Sequence, residues 1–124
     1  MVKHSFLREE RLKKNKDIKA VLDQGTCYKT KSVNIYILKR SDNGFNRAGF
    51  ICRKNLHQKK AVLRNRLKRV LREAYRSTKH VCPCGHDIVV LGTNLNKDTK
   101  SNILEREITD VFYKHSKKQP KILS

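Results

Sequence analysis

The stretch RNRLKRVLREAYR, residues 64 to 76, sets six basic side chains against a single acid. Like charges at this density weaken a compact state unless an anion neutralises them. The chemistry they offer is the holding of phosphate, because a guanidinium fork fits two phosphate oxygens and an ammonium supplies a point charge. Read as a helix at about 100° per residue, Arg64, Lys68, Arg72, Asn65, Arg76 and Arg69 fall within roughly 140° of one another. Val70, Leu63, Ala74, Leu67 and Leu71 fall on the opposite face. One face would anchor the helix while the other presents cations about one turn apart. Asn65 adds an amide that donates to a phosphate or ribose hydroxyl and also accepts, which Arg cannot do. Ordinary solvated helices mix signs to gain i,i+4 pairs, whereas here only Glu73 offers a partner.

Other reactive side chains form no comparable set. In HVCPCGH, residues 80 to 86, His80, Cys82, Cys84 and His86 alternate with single residues, a tighter spacing than the two to four spacers usual between paired zinc ligands. Pro83 and Gly85 mark a solvated loop with reduced thiols instead. Cys27 and Cys52 lie in strand-like contexts, where Cys is expected to act as a small buried hydrophobe. His4, His57, His80, His86 and His115 are scattered in polar settings and are expected at the surface or facing a nucleic acid. Asp17, Asp23, Asp42, Asp87, Asp98 and Asp110 are dispersed, and no Gly-rich phosphate loop, nucleophile elbow or paired-His motif occurs. The residues thus assign no catalytic group and no metal ligand.

Composition agrees with a polyanionic partner. The chain has 124 residues, with 30 Lys plus Arg against 11 Asp plus Glu, a formal net charge of +19 and a pI near 10.2. Its 37% hydrophobic residues are low in share but periodic in placement, which favours a folded domain over a disordered basic tail. No apolar run approaches the roughly 20 residues of a membrane span, and MVKHSFLREERLKKNK lacks the apolar stretch of a secretion signal. A cytoplasmic protein with no membrane partner is expected, with nucleic acid as the leading ligand.

The elements that must position the basic stretch are legible in outline. Ile18, Val21 and Leu22 recur at helical spacing within residues 16 to 24, with Asn15 as expected N-cap and Gly25 just past the end. A short strand is expected at 27 to 30. SVNIYILK, 32 to 39, alternates Val33, Ile35 and Ile37 against Asn34, Tyr36 and Leu38; SDNG turns the chain; RAGFICRK, 47 to 54, follows as a strand. After the basic linker NLHQKK comes the helix from about Ala61 to Arg76, then DIVVLG, 87 to 92, as a buried strand. A last helix, 101 to 115, carries Ile103, Leu104, Ile108, Val111 and Phe112 on one face. The order αβββαβα describes a single-domain α+β sandwich over residues 1 to 124, with short polar tails at both ends.

These motifs resemble, in order and over roughly residues 6 to 115, the protein subunit of bacterial ribonuclease P. AVLRNRLKRVLREAYR is similar to that family's RNR signature helix. REERLKKNKDIKAVLDQGTCY, FICRK and GHDIVVLG match further motifs. The resemblance implies an α/β sandwich in which the basic helix makes a left-handed crossover between parallel strands. It implies a protein that binds the catalytic RNA of ribonuclease P and the 5′ leader of precursor transfer RNA. Chemistry would rest with magnesium held mainly by that RNA, and no obligate protein partner is implied. Arg64, Asn65, Arg66, Lys68, Arg69 and Arg72 would contact the catalytic RNA. Tyr36, Arg53, Lys54, Ile18 and Leu22 would line the leader cleft; family members often carry aromatics at the last two positions, and Ile and Leu cannot stack with equal strength. The connection CRKNLHQKKAV is longer than the family's common form and lacks its usual glycine. Two other functions fit less of the pattern. A ribosomal or general RNA-binding protein would share the charge, and a self-sufficient nuclease would need acids brought together by the fold.

Overall fold

The computed structural model describes residues 10–41, 44–52, 61–82, 85–95 and 98–118. Its elements are α1 (Asn15–Gln24), β1 (Thr26–Lys29), β2 (Val33–Lys39), β3 (Arg47–Cys52), α2 (Ala61–Thr78), a 3-10 turn (Lys79–Val81), β4 (His86–Gly92) and α3 (Ser101–Lys118). The strands form one sheet in the order β1-β2-β4-β3, so α2 connects β3 to its parallel neighbour β4 while the other pairings are antiparallel. The expected αβββαβα order stands, each element within a residue or two of its expected start. The tails, the strand end at Arg53 and Lys54, and the 55–60 linker lie outside the described residues.

Strand alternation sorts the sheet into two faces. Val33, Ile35 and Ile37 of β2 and Ile88 and Val90 of β4 are buried against Leu67, Leu71, Ala74 and Tyr75 of α2 and Leu104, Ile108, Val111 and Phe112 of α3. Edge-on aromatic contacts cross this core, with ring centroids 5.7 Å apart for Phe50–Tyr75 and 6.3 Å for Tyr75–Phe112. On the other face, α1 and the segment before it bury Leu12 and Val21 on Val89, with Ile18, Leu22, Tyr36, Leu38 and Ile51 half-buried around them. β4 lies between β2 and β3 with both faces covered, which is why its sequence runs apolar rather than alternating.

Several side chains sit differently from expectation. Asn15 is the first residue of α1 rather than its cap; Lys14 occupies the cap position without a side-chain bond, because the preceding residues run extended along β3. Ile103 is 53% exposed, since it stands about 100° around the helix from Leu104 and the buried stripe continues through His115 instead. Cys27 is exposed on the edge strand β1, while Cys82, expected in a solvated loop, is buried; Cys52 is buried as expected. Gly85 adopts φ 88°, a left-handed conformation that suits glycine, and delivers the chain into β4.

The histidines give the clearest correction. His86 is fully buried and His115 nearly so, their rings edge to face at 5.3 Å, with the Tyr28 hydroxyl 2.8 Å from His115 Nδ1. His86 shares a strand face with Ile88 and Val90, and His115 follows Ile108, Val111 and Phe112 at helical spacing. Periodicity therefore carries both inward despite their polar neighbours in sequence. His80 is exposed.

Candidate nucleic-acid interface

Helix α2 is held by one face and leaves the other to solvent. Leu67, Leu71, Ala74 and Thr78 are buried, and so is Tyr75, which lies about 20° from Arg64 around the helix and widens the buried arc toward the basic row. Arg64, Lys68 and Arg72 follow one another along the outer strand β3. The Cys52 thiol lies 3.8 Å from the Arg64 carbonyl oxygen, and Lys68 and Arg72 line a notch with Ala48, Gly49 and Phe50. Burial pushes the Cys52 thiol up, and the positive fields of Lys68 and Arg64 pull against that rise. The cations thus run antiparallel to β3, from its end at Cys52 back toward Ala48.

Asn65 and Arg69 are exposed beside this row. Arg66 is exposed too, but at about 200° from Arg64 it stands on the other flank of the helix. Arg76 bonds Glu73 one turn earlier. Among the described residues, the ion pairs engage Arg40, Arg47, Arg76 and Lys79, and none engages Arg64, Arg66, Lys68, Arg69 or Arg72. Among the described residues, five cations on one helix thus have no acid paired to them, the condition in which a polyanion gains most by binding.

A second surface lies on the α1 face. Tyr36 of β2 stands opposite Val89 of β4 on one side and Cys27 of β1 on the other. The fold brings Tyr36, Ile18 and Leu22 into one half-buried apolar cluster with Leu38 and Ile51. Arg53 and Lys54 lie outside the described residues.

One cluster that the sequence motifs did not expose holds this end of the sheet together. Asp87, 5% exposed, accepts a bond from Arg40 Nη1 at 2.7 Å and a two-pronged one from Arg47, Nε at 2.9 Å and Nη2 at 2.7 Å. Burial would raise the Asp87 carboxyl, but the bonds from Arg47 and Arg40 outweigh it and hold the group below its ordinary value. Arg40 also donates to the His86 carbonyl at 3.1 Å and the Phe45 carbonyl at 2.6 Å. Asp17 of α1 stands 3.7 Å from Arg47. At the opposite end of the sheet, Glu107 of α3 accepts bonds from Ser32 N at 3.0 Å and Ser32 Oγ at 2.9 Å, and one from Thr30. These acids serve the scaffold. Among the described residues no group of three or more His, Cys, Asp or Glu is placed to hold a metal ion, and no helix is long and apolar enough to cross a membrane.

Residues 6–116 match the family model described as Ribonuclease P. The ribonuclease P protein component of Alkaliphilus oremlandii is 35% identical over 104 residues, covering 84% of this chain and 89% of that protein. That of Nitrosomonas eutropha is 31% identical over 107 residues, covering 86% and 88%. The solved RNase P protein of Staphylococcus aureus superposes with a TM-score of 0.69 at 26% identity, over 87% of this chain and 95% of that one.

Proposed function

This chain belongs to the ribonuclease P protein family, and from that membership we propose how it works as the protein subunit of that ribonucleoprotein: α2 binds the catalytic RNA, and the α1 face receives the 5′ leader of precursor transfer RNA. The single observation that carries the first half is the row Arg64, Lys68 and Arg72 beside β3, with Asn65 and Arg69 next to it and no acid paired to any of its cations among the described residues. Arg66 contributes charge from the opposite flank. Guanidinium groups one helical turn apart fit successive backbone phosphates, and Asn65 adds a contact to a phosphate or a 2′-hydroxyl.

For the leader, Tyr36 offers a ring face on which an unpaired base stacks, with Ile18 and Leu22 supplying apolar flanks and Arg53 and Lys54 the charge for the backbone. The chain's own work is binding and orientation. It needs no nucleophile, and Glu10, Asp87 and Glu107 are engaged in holding strands and helices. Magnesium is the metal of this reading, held by the RNA. Among the described residues no group of three or more His, Cys, Asp or Glu is placed to hold it, and no step is assigned to a protein-held ion. The setting is cytoplasmic, with no obligate protein partner. Family membership favours this role over a ribosomal one.

The test is cleavage of precursor transfer RNA at low magnesium by protein alone, by a bacterial ribonuclease P RNA alone, and by both. The expected outcome is strong stimulation only in the combination. Cutting by protein alone overturns the reading.

A further inference from the structure

The residues just before α1 run extended against the outer edge of β3. Leu12 N donates to the Ala48 carbonyl at 3.0 Å, Arg11 bridges Ala48 in parallel, and the Leu12 side chain is buried. Gly49 permits this approach, since a Cβ there would stand 3.2 Å from the Leu12 carbonyl oxygen. In an extended segment residues two apart share a side, so with Leu12 turned inward Arg11 and Lys13 turn together to the other side. On α2, Lys68 and Arg72 are four apart and share a face in the same way. These two pairs, each aligned by its own backbone period, line a single notch of about 270 Å³ with Leu12, Ala48, Gly49 and Phe50.

Among the described residues, the lining of this concavity includes four cations and no acid. The two grooves against α3 differ, one lined by Glu105 and Asp110 and the other by Glu107 and Asp110. A recess with low-dielectric walls and charge of one sign focuses potential on whatever enters it. Its volume accommodates a phosphodiester group with part of its ribose. It also continues the Arg64–Lys68–Arg72 row around the edge of β3.

We propose that this notch binds a backbone phosphate of the catalytic RNA, held jointly by Arg11 and Lys13 from the pre-helical segment and by Lys68 and Arg72 from α2. The inference rests on the reading of α2 given above and extends the RNA footprint to a segment outside it. An RNA strand running along α2 then reaches the β3 edge of the sheet rather than leaving from the helix alone.

The experiment measures binding of the full chain to a bacterial ribonuclease P RNA transcript across a salt series. The variants are Arg11→Gln with Lys13→Gln, Lys68→Gln with Arg72→Gln, and all four together. Arg11→Lys with Lys13→Arg serves as the charge-preserving control, and thermal melts check the fold. The first pair should bind roughly ten-fold more weakly at moderate salt, with the slope of log affinity against log salt falling by roughly 0.7 to 0.9 per lost contact. The charge-preserving variant should stay close to the parent. The two pairs should be non-additive, because they share one phosphate. If Lys68→Gln with Arg72→Gln weakens binding while Arg11→Gln with Lys13→Gln does not, the notch is overturned and the role of α2 survives. If neither pair matters, both fall. A loss confined to leader-bearing precursor, with catalytic-RNA binding unchanged, also overturns the assignment.

Discussion

Under α2 and α3 the sheet is sealed: Val33, Ile35, Ile37, Ile88 and Val90 are almost wholly buried, and aromatic rings interlock from Phe50 through Tyr75 to Phe112. Under α1 the same strands present Asn34, Tyr36, Leu38, Leu91 and Ile51 only half-buried, covered by a helix of 10 residues in which Val21 alone is fully inside. Both faces are made by the same alternation, and they differ in how much helix lies over them. The sealed face holds the fold and fixes α2 so that its outer side can carry unpaired charge. The thinly covered face leaves the Tyr36 ring half-buried. On the proposed function, stability and recognition fall to opposite sides of one sheet, with the basic row on the edge between them.

The largest expected effect is on the sealed face. Leu71→Ala should lower stability by about 3 to 4 kcal/mol through lost burial and an unfilled cavity, whereas Leu22→Ala under α1 should cost about 1 kcal/mol, its side chain being only partly removed from water. Thermal melts of the two variants measure the contrast, and equal losses would break it.

Next comes Asp87, which ties β3 and β4 to the loop after β2. Asp87→Asn leaves Arg40 and Arg47 without their carboxylate and should cost about 2 to 3 kcal/mol. Because the folded carboxyl is held below its ordinary value, its contribution is present above the ordinary carboxylate range and is lost as pH falls through the lowered folded value. Stability curves of parent and variant should therefore converge below about pH 4 and stay apart at neutrality. A gap that persisted undiminished in acid would assign the loss to packing.

Tyr36 tests the thinly covered face. Tyr36→Ala should weaken binding of leader-bearing precursor by about 1 to 2 kcal/mol, and Tyr36→Phe by much less, because the ring face survives. Mature transfer RNA and the catalytic RNA should bind as before. Equal losses for precursor and mature RNA would make Tyr36 a packing residue only.

How much of this was legible in the sequence follows from which contacts are local. The helix wheel of residues 64 to 76 separates Leu67, Leu71 and Ala74 from the basic row because both faces obey one short-range period. It leaves Tyr75 unassigned, since its burial depends on Phe50 and Phe112, distant in sequence. His86 and His115 escape a sequence reading for a related reason: their neighbours are polar, but their strand and helix periods point inward and join them only in three dimensions. Asp87 is visible within GHDIVVLG as part of a strand, yet its partners Arg40 and Arg47 flank the connection between β2 and β3, 47 and 40 positions earlier. The notch beside β3 combines residues nearly sixty positions apart, which no spacing within one element reveals.

In the proposed function the cations of α2 face RNA phosphate rather than solvent. This placement is tested most directly by the salt dependence of binding to a bacterial ribonuclease P RNA for the parent and for the triple variant Arg64→Ala, Lys68→Ala and Arg72→Ala. All three side chains lie off the sealed core, so the variant should melt close to the parent while its log–log salt slope falls by roughly 2 to 3 and its affinity drops accordingly. An intact fold with unchanged affinity and slope would leave these cations to solvent and remove α2 from the RNA interface.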